Sequence, residues 1–217
     1  MLEHEIIPAA QPSAEGYHCL VLHGLGDSMA GWKPVVPMLG LPRVGFVVAN
    51  APMEYYGGWS WFDIHPDMSI DDDHVRASRV RLAELIAHLL TTLRIPSERL
   101  LLCGFSQGCV MVVDAALRSD AAFAGVVGIS GFVAMPDEYP AAFGRALAQQ
   151  RLLLTHGRLD GMIPIAYPRA QAQRLHGLGA AIDWREYDKE HTLDPSRELA
   201  DIRAFVTARV AAAPPGP

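Results

Sequence analysis

Five short apolar runs punctuate the chain: "HCLVLH" at 18–23, "VGFVVANA" at 44–51, "LLLCGF" at 100–105, "AGVVGIS" at 124–130 and "RLLLTHG" at 151–157. Runs that do not alternate suit strands covered on both faces, as in a parallel sheet. "AIDWREY" at 181–187 alternates more and predicts a strand nearer the sheet edge. Between the runs the period changes. Leu82, Leu85, Ile86, Leu89, Leu90 and Leu93 recur at the spacing of one helix face, and Asp71, Asp72 and Asp73 precede them where acids favour a helix start. Leu199, Ile202, Phe205, Val206 and Val210 repeat the pattern after Asp194 and Pro195. "CVMVVDAAL" at 109–117 is apolar almost all round, as in a buried helix, and "IPIAYPRAQAQRLHGLG" at 163–179 reads as a helix stopped by glycine. Strands alternating with helices predict an α/β fold with a mostly parallel central sheet flanked by helices. In such sheets, sites form in crevices at the carboxyl ends of the strands.

Composition narrows the class. The chain has 217 residues, of which 50% are hydrophobic, enough for one domain over 1–217 with a core at about 17–210. "AAAPPGP" at 211–217 reads as a frayed tail. The formal charge of −6 comes without a Lys/Arg cluster, so no nucleic-acid partner is expected. No run approaches the roughly 18–20 apolar residues of a membrane span. The acidic N-terminal "MLEHEIIPAAQP" does not read as a secretory signal. Cys19, Cys103 and Cys109 are odd in number and each lies in an apolar run. They read as reduced packing residues of a cytoplasmic protein. Lysine is rare, at Lys33 and Lys189 alone.

Chemistry enters at "GFSQG", residues 104–108, where an apolar strand passes through G-x-S-x-G into an apolar helix. Glycine-rich turns of this kind are often merely structural. With a strand before and a helix after, the pattern describes a nucleophile elbow. The elbow projects the Ser106 hydroxyl at a strand's carboxyl end, and the Gln107 N–H becomes one oxyanion donor. A serine hydroxyl needs a base, and the base needs an acid to fix its tautomer. In elbow hydrolases the acid and then the base follow the serine in the chain.

Of His156, His176 and His191, the last lies in a polar loop between a predicted strand and the last helix, the best place from which to reach the sheet top. Among Asp160, Asp183, Asp188 and Asp194, Asp160 follows a strand by a short turn. Asp183 falls inside a strand, and Asp188 and Asp194 sit too close to His191 in sequence. Asp160 is therefore the candidate acid, with an ordinary turn Asp before Gly161 as the plain alternative. The second oxyanion donor is expected after an early strand, in "HGLGDS" at 23–28, where glycines admit a substrate oxygen close to the backbone.

"LHGLGDS", "GFSQG", "THGRLDGMIP" and "EH", with "SWFDI" at 60–64 and "ISGF" at 129–132, together resemble the phospholipase/carboxylesterase family of α/β-hydrolases, which includes acyl-protein thioesterases. The resemblance spans about 17–210. It implies an α/β-hydrolase fold without a large cap domain, and a homodimer. The catalytic roles fall on Ser106, Asp160 and His191, and the oxyanion donors on Leu25 and Gln107. The activity implied is a cofactor-free and metal-free carboxylic ester hydrolase working through an acyl-enzyme on small-molecule esters of short or medium chain length, or on lysophospholipids. Acyl thioesters are the alternative. Glu190 departs from the glycine that family members usually carry before the base. A side chain there is expected to alter the loop or repel an acidic leaving group. Tyr55, Tyr56, Trp59, Trp61 and Phe62 make the segment before 63 rich in aromatics, and Trp59, Trp61 and Phe62 are candidates for an acyl-pocket wall. Ordinary packing is the plainer reading of each. A catalytically inactive binding module is the rival from another class. Metal-dependent hydrolysis would want a histidine pair at ligand spacing, such as H-E-x-x-H.

Overall fold

In a computed structural model of the chain, the structure describes residues 1–12 and 16–211. The tail expected to fray lies, beyond Ala211, outside the described residues. Among the described residues the strands are β1 (His4–Ile7), β2 (His18–Leu22), β3 (Gly45–Ala49), β4 (Met53–Tyr55), β5 (Gly58–Ser60), β6 (Leu100–Phe105), β7 (Gly125–Ile129), β8 (Leu152–Gly157) and β9 (Ile182–Tyr187). The helices are α1 (Met29–Trp32), α2 (Asp72–Leu93), α3 (Gln107–Arg118), α4 (Ala166–Gly177) and α5 (Arg197–Ala211).

Seven strands form a sheet in the order β1-β3-β2-β6-β7-β8-β9, and β4 pairs β5 in a separate hairpin. Every neighbouring pair in the sheet is parallel except β1–β3. The six runs read from the sequence are the six parallel strands. Antiparallel β1 was not expected, because "HEII" offers two adjacent apolar residues and no run. From β2 the chain steps outward to β3, whereas from β6 it steps the other way through β7, β8 and β9. The switch point therefore lies between β2 and β6, and the crevice outside their carboxyl ends is where a site belongs.

Alternate strand residues feed two cores. Leu20, Leu22, Leu100, Leu102 and Val126 join Leu82, Leu85 and Leu89 of α2 and the apolar body of α3. Cys19, Val21, Leu101, Cys103 and Val127 join Trp32 of α1 and Leu199, Ile202 and Val206 of α5. Helix α3 is apolar almost all round because the sheet covers one side and α2 the other, with Asp114 paired to Arg79 of α2. Asp71 caps α2 by accepting from the His74 amide at 2.9 Å, as expected of an acid at a helix start.

Candidate active site

Ser106 stands between β6 and α3 with φ 54° and ψ −118°, a left-handed conformation for a residue with a side chain. Such strain persists only where the surroundings enforce it. Here they do. The Ser106 amide donates to the Ile129 carbonyl at 2.8 Å, and the two glycines of the motif let the backbone close up. A Cβ on Gly104 would lie 2.2 Å from the Gly108 carbonyl oxygen. A Cβ on Gly108 would lie 2.2 Å from the Leu22 oxygen. The glycines thus press α3 onto β2 and lift the Ser106 hydroxyl above the sheet.

His191 Nε2 lies 2.9 Å from Ser106 Oγ, and its Nδ1 lies 2.7 Å from Asp160 Oδ2. The other Asp160 oxygen accepts from the amides of Met162 at 3.0 Å and Ile163 at 2.8 Å. Burial pushes the Asp160 carboxyl up, but the Ile163 amide and His191 outweigh it, so it titrates below the ordinary carboxylate value. An ionised Asp160 facing Nδ1 holds the proton on that nitrogen and leaves Nε2 free to accept from the serine. The Phe105 ring, 5.0 Å from the imidazole, props its other side.

His156 is buried as well. Its Nε2 donates to the Ile163 carbonyl at 2.8 Å and stays 3.4 Å from Asp160 Oδ2, so it supports the acid's turn rather than facing Ser106. His176 is exposed at the end of α4.

Leu25 and Gln107 line the same groove as Ser106 and His191, and no backbone partner takes either amide among the described residues. The loop carrying Leu25 is braced from both sides. The Gly26 amide donates to the Trp59 carbonyl at 2.9 Å, and the Trp59 amide returns a bond to Asp27 at 2.9 Å. His23 accepts from the Ala51 amide on Nε2 at 3.1 Å, so its proton sits on Nδ1, which donates to the Gly24 carbonyl at 2.7 Å. Burial lowers its pKa and keeps it neutral.

A family model for phospholipase/carboxylesterase proteins matches residues 3–210. The chain belongs to that family. Acyl-protein thioesterase 1 of Schizosaccharomyces pombe is 34% identical over 166 residues, 72% of this chain and 74% of the relative. Two solved structures share the fold. Esterase PE8 superposes with a TM-score of 0.84 at 22% identity, covering 95% of this chain and 98% of its own. A carboxylesterase from Mesorhizobium loti superposes at 0.83 and 18% identity, covering 95% and 94%. The fold is that of an α/β-hydrolase with no large cap. The loops that border the site are the stretches 64–70, 132–138 and 161–164, which carry no sheet of their own.

Those loops enclose a groove of about 960 Å³ leading away from Ser106. Its walls include Phe62, Ile70, Phe132, Met135, Met162 and Tyr167. Of the three aromatics expected to wall an acyl pocket, Phe62 does so, and Trp59 and Trp61 do not. Trp61 is fully buried, and its Nε1 donates to the His23 carbonyl at 3.0 Å. Trp59 packs its half-buried ring against the core and lends its backbone to the Gly26–Asp27 loop. Both brace the loop that carries Leu25 from behind. Tyr55 and Tyr56 stand at the tip of the β4–β5 hairpin, and Tyr56 is 97% exposed. Glu190 is exposed and lies outside the groove, while its carbonyl accepts from the Thr192 amide at 2.8 Å.

Several side chains that organise the site carried no sequence signal. The Gln107 carboxamide accepts from the Trp61 amide at 2.9 Å and donates to the Phe62 carbonyl at 2.7 Å, tying the groove floor to the elbow. Gln171 of α4 accepts from the Val133 amide at 2.8 Å and donates to the Val133 carbonyl at 3.0 Å, fixing the opposite wall. Glu138 accepts from Arg76 at 2.9 Å and Arg118 at 2.6 Å and anchors the end of that wall to α2 and α3. The three cysteines are free and buried, and burial pushes the Cys109 thiol up to about 12, so it is inert beside the elbow.

Proposed function

We propose that this serine hydrolase of the phospholipase/carboxylesterase family cleaves carboxylic esters through an acyl-enzyme on Ser106. The observation that carries the reading is the unbroken line Asp160–His191–Ser106, at 2.7 and 2.9 Å, opening into an apolar groove. His191 Nε2 takes the Ser106 proton as Oγ attacks the ester carbonyl. The Nδ1–H···Asp160 bond stabilises the imidazolium that results. The amides of Leu25 and Gln107 receive the negative charge developing on the carbonyl oxygen. His191 then protonates the departing alcohol, activates a water for the second attack, and returns the proton to Ser106 as the acid leaves.

The groove volume and its aliphatic and aromatic walls support an acyl chain of short to medium length, or the single chain of a lysophospholipid. A thioester passes through the same steps with a thiolate leaving group, and the name of the yeast relative favours that second reading. The intact triad geometry weighs against an inactive binding module. Three buried free thiols fit action in a reducing cytoplasm as a single domain.

The test is hydrolysis of p-nitrophenyl esters of graded acyl length, beside a thioester and a lysophospholipid, with Ser106→Ala as control. The expected result is turnover of the esters, fluorophosphonate labelling of Ser106, and loss of both in the variant. Near-full esterase activity in S106A overturns the scheme.

A further inference from the structure

The turn that carries His191 lies at the surface, and the bonds to the His191 ring do not by themselves fix its backbone. Glu190 and Thr192 are exposed, and its internal bond runs from the Thr192 amide to the Glu190 carbonyl. Yet Nε2 must stay near 3 Å from Ser106 Oγ through the reaction, and an error of about 1 Å costs about 10²-fold in rate.

Lys189, one of two lysines in the chain, supplies a constraint on that backbone. Its carbonyl accepts from the Leu159 amide at 3.1 Å, which fixes its backbone beside the end of β8. Its side chain is buried, and Nζ donates to Thr192 O at 2.8 Å, to Ser130 Oγ at 3.2 Å, and to the Glu198 carboxylate at 2.6 and 2.7 Å. An ammonium has three N–H donors, and all are engaged. Each acceptor belongs to a different part of the site. Thr192 closes the turn around His191. Glu198, fully buried in the first turn of α5, also accepts from the Asp194 amide at 2.9 Å and so holds the turn's exit. Ser130 follows Ile129, whose carbonyl receives the Ser106 amide.

A buried ion pair is a weak source of stability, because desolvation of both charges offsets most of their attraction. Its contribution here is geometric. We propose that Lys189, paired with Glu198, is a positioning residue for His191, stapling the base's turn shut and locking it to the strand end that holds the nucleophile. The proposal rests on the assignment of Ser106 and His191 made above.

Lys189→Met alone strands the Glu198 charge in the interior and is expected to fold poorly. The informative variant is K189M/E198Q, which removes both charges and keeps the volume. The expected result is a melting temperature within a few degrees of the wild type, kcat on a p-nitrophenyl ester lowered on the order of 10²-fold, and KM changed less than about twofold. Fluorophosphonate should still label Ser106 to completion, at a rate lowered in step with kcat. A folded double variant with wild-type kcat overturns the proposal. A double variant that does not fold also overturns it, since the pair would then hold the fold rather than the base. Failure of the wild-type enzyme to take up fluorophosphonate on Ser106 would instead overturn the hydrolase assignment beneath it.

Discussion

Gly108→Ala tests how tightly the elbow depends on contact between α3 and β2. A methyl at Gly108 would sit 2.2 Å from the Leu22 carbonyl oxygen and 2.7 Å from that of His23. Both atoms are backbone, so no side chain can swing aside. A carbon–oxygen contact needs about 3.3 Å, so the first turn of α3 must retreat by about 1 Å. That turn carries the Gln107 amide and follows Ser106, while the exit of β2 carries the Leu25 amide. The retreat therefore parts those two amides and shifts the Ser106 hydroxyl from His191 together. A displacement of that size costs about 10²-fold in kcat, or about 2.7 kcal/mol of transition-state stabilisation. Overpacking the α3–β2 contact costs a further 1–3 kcal/mol of fold stability, roughly. At about 2–4 °C per kcal/mol for a chain of this length, the melting temperature should fall by about 2–12 °C. Steady-state kinetics on a p-nitrophenyl ester and a thermal melt read the two effects separately. Gly177→Ala is the control, since a methyl there meets nothing within 4 Å. A G108A variant with wild-type kcat and melting temperature would refute the reasoning.

The Gln171 carboxamide satisfies both polar groups of Val133, so Gln171→Leu leaves a buried amide and carbonyl unpaired. Its expected cost is about 2–4 kcal/mol, read as a lower urea midpoint, and an unchanged midpoint would show that Val133 finds other partners. Acid should destabilise the fold through its depressed carboxylates, Glu186 and Asp160 among them. Hydrogen bonds from Arg169 and then Trp184 hold Glu186 down to about 2 against its burial, and Asp160 also titrates below its ordinary value. Because both are depressed in the folded state, their contribution is complete above the ordinary carboxylate range near pH 4 and is lost as pH falls toward 2. Urea midpoints at pH 7, 5 and 3 should drop chiefly below pH 5, and equal midpoints at pH 5 and 3 would contradict this.

Much of this molecule is local enough to be read along the chain. Strands covered on both faces are apolar at nearly every position, so β2, β3, β6, β7 and β8 announce themselves as near-continuous runs. Ser106 is legible because its strained turn demands small neighbours on both sides, and a strand and a helix frame them. His191 and Asp160 follow from chain order and from lying just past strand ends. Strand β1 is missed because a four-residue edge strand half-open to solvent needs no apolar run.

Other features depend on partners far away in sequence. Trp59, Trp61 and Phe62 look alike as neighbouring aromatics, and which one faces the groove depends on Gln107, some 45 residues later, holding the segment in one register. Gln171, Glu138 and Lys189 are polar residues of a kind usually exposed. Their burial or anchoring arises only where the fold brings Val133, Arg118 or Glu198 against them. The sequence by itself determined the six parallel strands and the glycine-flanked turn at Ser106, because each is dictated by short-range sterics and hydrophobic period, and chain order then singled out Asp160 and His191 as candidates. Only the tertiary structure decided the groove's walls and the staple behind His191, because a hydrogen bond between distant segments has no counterpart in local sequence until both ends are in place.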